Sequence, residues 1–307
     1  MPICEADPWR MQYFKDVACP QEVRVPTEDF DAYQWNPAHR WVYNKLLIAE
    51  SQGLCCAPHG VTPAGFPVFS KPIINLRGMG ASSRVIASLA DYERHETAGH
   101  FWMTLLVGEH VSSDIAIEHG AAVWFRHAQG IPAGAGTFDY WIVEAARRGA
   151  LEEYCGAWVA RNLAGYTGMV NLETIDGRII EVHLRFTDQW PDLYGEGWLA
   201  ALVGLYAQGE WVFDADDVRT GYSVVLFGPH GVEYRHPSAE RVAELVKTPG
   251  VTSIQITFHD ERFAGSHSMP PGGFRLAVVN SWDLRAGRQV RAGLAALFGI
   301  AAQPARS

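Results

Sequence analysis

The sequence predicts an α+β protein, and three observations carry that expectation. Apolar residues at helical spacing run over 39–52, alternating strands flank an Asp176-Gly177 turn within 169–186, and residues 210–307 mix helical stretches with short strands. The 307 residues suffice for one large or two modest domains, each with its own core. Hydrophobic residues make up 48% and charged residues 19%, so the chain lies outside the disordered class. Lys plus Arg is 25 against 34 Asp plus Glu, a net charge of −9, which argues against an extended nucleic-acid surface. The 11 Trp are read as packing residues.

The five cysteines are odd in number, Cys55 and Cys56 are adjacent, and no Cys-x-x-Cys occurs. That pattern fits free thiols in a reducing compartment. The first ten residues carry no basic and apolar leader, and no apolar run approaches 18 residues, so neither a signal peptide nor a membrane span is expected. The expectation is a cytoplasmic protein without membrane or nucleic-acid partners. A homodimer is left open.

Four regions are expected: an irregular Pro-rich segment 1–36, subdomains at 37–100 and 101–200, and a C-terminal domain 201–307. A break is expected at Asn36-Pro37, then a helix over 39–52 with Gly53 at its end. A loop follows, then a short strand through Phe69 that ends at Lys71-Pro72, then a small-residue loop, Asn75 to Arg84. Strands are read at 102–107 and 108–117, with a turn at Glu118-His119-Gly120 and a return strand at 121–126. A helix over 144–164 is expected to break near Gly149 and Gly156, a hairpin to span 169–186, and an apolar helix to span 198–208. Beyond a boundary near 195–210, strands are read at 224–227, 253–258 and 275–279. Helices are read at 238–247, capped by Ser238, and at 284–298.

The hairpin is the most informative segment. Ile180, Val182, Leu184 and Phe186 alternate with Glu181, His183 and Arg185. A three-residue loop 175–177, with Gly177 as a left-handed bulge, brings Glu173 onto the face of Glu181. It sets Asn171 opposite Glu181 and Glu173 on the diagonal. Two carboxylates that close repel unless a cation lies between them, and oxygen ligands suit Mg²⁺. Taken alone, the pattern equally fits a half-exposed hairpin whose polar face meets water. Zinc and serine-hydrolase chemistry lack their signatures: no His-Glu-x-x-His and no Gly-x-Ser-x-Gly occurs.

Together these segments resemble the ATP-grasp superfamily, which includes biotin carboxylase and D-alanine–D-alanine ligase. Glu173 matches that family's first hairpin carboxylate, and Glu181-Val182-His183-Leu184-Arg185 its Glu-x-Asn-x-Arg cluster. Asn44-Lys45-Leu46 matches a lysine at a helix start. Phe69-Ser70-Lys71-Pro72, followed by Gly78-Met79-Gly80-Ala81-Ser82-Ser83, matches a strand-end lysine and its phosphate-covering loop. Leu105 to Asp114, with Glu109, matches part of the strand beside the adenine pocket. The match spans about residues 37–195. His183 departs from the usual Asn, Met103 or Thr104 stands where a hinge Glu is usual, and the region before Lys45 is short for the family's N-terminal domain.

The resemblance implies two α+β subdomains gripping ATP and a C-terminal α+β lid domain. It implies an ATP-dependent ligase that joins a carboxylate to an amine or thiol through an acyl phosphate, with small-molecule substrates and ATP and Mg²⁺ as cofactors. Lys45, Lys71, Gly78, Gly80, Ser82, Ser83 and Glu109 would bind nucleotide. Glu173, Glu181 and His183 would hold the metal, and Arg185 and His183 would act in catalysis. The alternative that the departures leave is an ATP-grasp-like protein that binds nucleotide or a partner without ligase chemistry.

Overall fold

Strand pairing divides the protein into two antiparallel sheets, seen in a computed structural model that describes residues 7–76, 78, 80–214, 218–257 and 269–300. The first half of the chain holds α1 (Pro8–Phe14), α2 (Asp29–Trp35), a 3-10 turn (Arg40–Tyr43), α3 (Lys45–Glu50), β1 (Cys56–Pro58), β2 (Val68–Pro72), β3 (Arg84–Ile86), α4 (Leu89–His95), β4 (His100–Thr104), β5 (His110–Glu118), β6 (Ala121–Gly134) and β7 (Thr137–Val143). Then come α5 (Gly149–Asn162), β8 (Gly168–Ile175), β9 (Arg178–His183), a second 3-10 turn (Pro191–Leu193), α6 (Trp198–Gln208), β10 (Gly221–Gly228), α7 (Ala239–Val246), β11 (Val251–Ile256), β12 (Phe274–Ser281) and α8 (Leu284–Leu297). The small sheet runs β1-β4-β2-β3 and the large one β11-β12-β10-β7-β6-β5-β8-β9.

The large sheet is buried on both faces. On β5, Ile115 and Ile117 join the cluster of Trp158, Leu163 and Leu172, while Ala116 points into the opposite cluster with Trp198 and Phe186. α8 covers the C-terminal strands through Val290 and Leu294. β10 pairs with β7, so the sheet is continuous across the boundary expected near 195–210. Among the described residues, no helix is long and apolar enough to cross a membrane.

Several expectations hold closely: the helix at 198–208, the Ser238 cap and the strand through Lys71. Phe258, at the end of one expected strand, lies outside the described residues. Others need correction. The segment before residue 37 is not irregular throughout, because α1 and α2 bury Trp9, Phe14 and Ala32. The helix expected over 39–52 is interrupted at Asn44, whose backbone is extended and whose side chain accepts from the Leu47 N–H at 3.1 Å. Asn satisfies an orphan helix donor better as a cap than as an interior residue, so a new helix starts at Lys45. α5 begins at Gly149 and runs unbroken through Gly156. The return strand from Ala121 extends to Gly134, and β7 follows it.

The hairpin keeps Glu173 and Glu181 on one face by a different device. The turn has two residues, Asp176 and Gly177, both with positive φ. The extra residue is Ile180, in β9: Thr174 pairs with Ile179, and Glu173 then pairs with Glu181. Glu173 therefore lies directly across from Glu181, not on the diagonal, and Asn171 lies across from His183. The bulge also reassigns the core position, so Ile179 is fully buried and Ile180 lines the cleft.

Because Asn44 starts the helix that presents Lys45, Asn44→Ala should cost about 1 kcal/mol of stability. Urea unfolding measures this, and Asn44→Ser should retain most of the lost stability.

Candidate functional site

A cleft of about 640 Å³ is lined by both sheets, the loop after β2, α2 and the β8–β9 hairpin. Strands six places apart, β9 and β12, both reach it, so the large sheet curves around it. Phe69, Met103, Leu105 and Leu106 line it from β2, β4 and the β4–β5 connection. The residues Gly78 and Gly80 also line it, both with the positive φ that glycine tolerates.

Glu173 and Glu181 are surrounded by donors from four elements. From α3, the Lys45 Nζ donates to Glu181 Oε1 at 2.5 Å. From β5, His110 Nε2 lies 3.0 Å from Glu173 Oε2. From β9, His183 Nε2 lies 3.5 Å from Glu181 and 3.9 Å from Glu173. From β2, Lys71 donates to the Ile180 carbonyl at 2.8 Å, and its charge acts on both carboxylates. Burial alone would raise both carboxyls. His110 nevertheless holds Glu173 below the usual glutamate value, and Lys45 with His183 and Lys71 holds Glu181 well below it. Burial, opposed by Glu181, draws Lys71 down to about 8.

Behind the pair sits Asp29, at the start of α2. Its carboxylate lies 3.0 Å from His183 Nδ1 and 2.9 Å from Arg185 Nε, and it accepts from Arg185 Nη2 at 3.0 Å and the Tyr43 hydroxyl at 3.1 Å. Burial opposes ionisation, but Arg185 and His183 hold the Asp29 carboxyl far below the carboxylate range. Burial also opposes a charged His183, yet Asp29, with Glu181 assisting, lifts the imidazole to about 9. The two ring nitrogens of His183 thus face two acids, which favour its charged form.

Of the residues singled out by sequence, Lys71, Gly78, Gly80, Ser83, Glu173, Glu181, His183 and Arg185 line the cleft, and buried Lys45 joins it through Glu181. Ser82 and Glu109 are not part of the lining; Glu109 pairs with Arg148 at 2.8 Å and accepts from Gln129. Met79, within the small-residue loop, lies outside the described residues. Asp114 is not at the surface: it is buried, accepting from Thr187, Asn171 and Tyr194. Asp29, His110 and the Phe138–Trp141 wall escaped the sequence reading. For the ring pair no local signal existed: alternation alone sets residues 138 and 141 on opposite faces, and the irregular β6–β7 pairing at Ile131/Pro132 departs from it.

No family model matches the chain, and no curated protein matches it in sequence. The likeness is in three dimensions. The L-amino acid ligase from Bacillus licheniformis superposes with a TM-score of 0.60 at 11% identity, over 92% of this chain and 81% of that one. N5-carboxyaminoimidazole ribonucleotide synthetase from Thermus thermophilus gives 0.61 at 14% identity, over 97% and 86%. The related synthase from Aspergillus clavatus, solved in complex with ATP, gives 0.58 at 12%, over 85% and 74%. The chain has the α+β ATP-grasp fold.

Asp29→Asn leaves two buried cations without their acid, so stability at pH 7 should fall by about 3–5 kcal/mol in urea unfolding. The His183 pKa is raised on folding, so its contribution is complete below about pH 6.5 and is lost as pH rises through the folded value of about 9. Proton NMR of the His183 ring should show that high titration in the wild type and a lower one in Asp29→Asn.

Proposed function

We propose that the chain is an ATP-dependent ligase that joins a small-molecule carboxylate to an amine or thiol through an acyl phosphate. One observation carries this reading: Glu173 and Glu181 face each other in a cleft lined by both sheets, with Lys45, Lys71 and a glycine-bearing loop around them. That the Aspergillus clavatus neighbour was solved in complex with ATP supports nucleotide binding by this fold.

In this reading the apolar slot of Phe69, Met103 and Leu106 takes the base. Lys45 and Lys71 turn from Glu181 and Ile180 to the phosphates as point charges. Backbone N–H groups of the Gly78–Ser83 loop approach the terminal phosphate. Facing carboxylates fit a hard divalent cation, so Glu173 and Glu181 would hold Mg²⁺, which supplies positive charge against the phosphate oxygens. In this reading His183, with its Nδ1 facing Asp29 and its Nε2 facing Glu181, holds those two acids in place rather than binding the metal. A substrate carboxylate oxygen attacks the γ-phosphorus and the bond to ADP breaks. The amine nitrogen then attacks the acyl carbon, loses a proton and expels phosphate. Arg185, fixed by Asp29, faces the reacting carboxylate or phosphoryl group.

ATP with Mg²⁺ should raise stability by about 2.7 kcal/mol at a hundredfold excess over its dissociation constant. Calorimetry showing no heat at millimolar ATP-Mg²⁺ would remove the reading. Lys71→Ala should weaken that affinity about tenfold, and Lys71→Arg less, because the lost contact is a charge-assisted one.

His183 favours a second reading, in which nucleotide binds without group transfer, since a protonated ring beside both glutamates competes with a metal. His183→Asn removes that cation and should tighten the Mg²⁺ dependence of ATP binding. ADP release with carboxylate–amine pairs separates the readings: turnover in the wild type supports the ligase, and binding without turnover in both proteins supports the alternative.

A further inference from the structure

Four arginines line the cleft: Arg84, on β3, is exposed, and of the other three two are matched by acids. Arg10 pairs with Asp7, Glu28 and Asp188, and Arg185 with Asp29. Arg275, at the start of β12, has no ion pair among the described residues; Asp188 and Glu28, already paired with Arg10, act on it only at longer range. Its backbone N–H donates to the Met269 sulfur at 3.4 Å and its carbonyl accepts from Thr257 at 3.3 Å, so its place on the strand is set. Its Nε is buried with no hydrogen-bond partner, and among the described residues its guanidinium makes no ion pair. An unpaired buried donor is costly, and a planar fork is the natural receiver of a carboxylate.

Flat rings line the cleft beside β12 and the glutamate pair. Phe138 and Trp141 on β7 have centroids 4.3 Å apart, and Trp190 lies 5.3 Å beyond Trp141. His110 meets Phe138 and Trp141 edge-on, at 5.2 and 5.6 Å. All four line the cleft. The rings lie down on β6 at Gly130, where a Cβ would come within 2.6 Å of Phe138 and 2.9 Å of Trp141. His110 also bonds Glu173, so the wall adjoins the carboxylate pair.

We infer that this end of the cleft is an acid-binding subsite: Arg275 receives the carboxylate of a small acid whose flat, apolar body lies against Phe138, Trp141 and Trp190. The inference names the acid substrate of the ligase reading and rests on it.

Trp141 and Trp190 provide the readout. The full chain is titrated by intrinsic fluorescence with phenylacetate, acetate and the uncharged phenylacetamide, with and without ATP-Mg²⁺. Phenylacetate should bind at least about tenfold more tightly than either of the others, since each lacks one half of the recognition. Arg275→Ala should weaken phenylacetate about tenfold, and Arg275→Lys should recover part of the loss. Phe138→Leu should reduce the preference for phenylacetate over acetate. Thermal melts of each variant confirm folding, and Arg275→Lys serves if Arg275→Ala does not fold. Equal binding of phenylacetate and phenylacetamide, or no response to millimolar phenylacetate in either condition, overturns the inference. So does an Arg275→Ala protein that loses ATP-Mg²⁺ affinity as strongly as acid affinity, because the guanidinium then serves phosphates. Arg275-dependent phenylacetate binding in a chain that gives no calorimetric heat with ATP-Mg²⁺ upholds the acid subsite and removes the ligase reading.

Discussion

Glu173 and Glu181 face each other across two paired strands, and each is largely withdrawn from water. Like charges at that separation cannot both stay ionised unless cations and donors surround them. The chain meets the requirement with one side chain from each of four elements: Lys45 from α3, Lys71 from β2, His110 from β5 and His183 from β9. The same contacts fix where those elements lie. α3 is held against the edge strand β9 by Lys45, and β2 of the small sheet is held against the large sheet by Lys71. A cleft between two sheets is therefore a consequence of where the repulsion is neutralised.

Neutralisation carries a second requirement. His183 and Arg185 together bring more positive charge to the end of β9 than Glu181 balances. Asp29 supplies the missing negative charge, and it belongs to α2. The N-terminal segment is thereby drawn onto the cleft and becomes one of its walls, with Thr27 and Glu28 beside Asp29. Arg10 fastens the same segment to Asp188, just past the hairpin. A stretch that reads as Pro-rich connection in sequence thus becomes structural at the site through buried charge, not through helix propensity.

The parts of the site set by local periodicity were legible. Strict alternation put Glu181, His183 and Arg185 on one face, and Lys71 at a strand end before a small-residue loop was a local pattern too. The ATP-grasp architecture followed from the order of those pieces. Contacts between distant residues were not legible: 154 positions separate Asp29 from His183, and 63 separate His110 from Glu173. No spacing rule links such pairs. Arg275 was invisible for the same reason, since only the curvature of the sheet brings β12 to the cleft that β9 lines. The break at Asn44 was a local signal outweighed by the apolar spacing on either side of it.

The bulge at Ile180 shows how one added residue settles several demands together. With the same two-residue turn and no bulge, Glu173 would face Ile180, and Glu181 would lie opposite Leu172 on the core side. A carboxylate there would be buried among Ile115, Val170 and Trp158 without a partner, at a cost of several kcal/mol. The extra residue returns Glu181 to the cleft and leaves Ile179 to fill the core. It also offers the Ile180 carbonyl to Lys71, which needs an acceptor because it is buried. β9 is an edge strand, and the next backbone groups along it are not left open. The Gln52 side chain accepts from the Ile179 N–H at 2.8 Å and donates to its carbonyl at 2.8 Å, standing in for a further strand. Tyr154 holds Gln52 in that pose from α5 at 2.6 Å. The irregularity is what turns a polar hairpin face into a pair of opposed carboxylates.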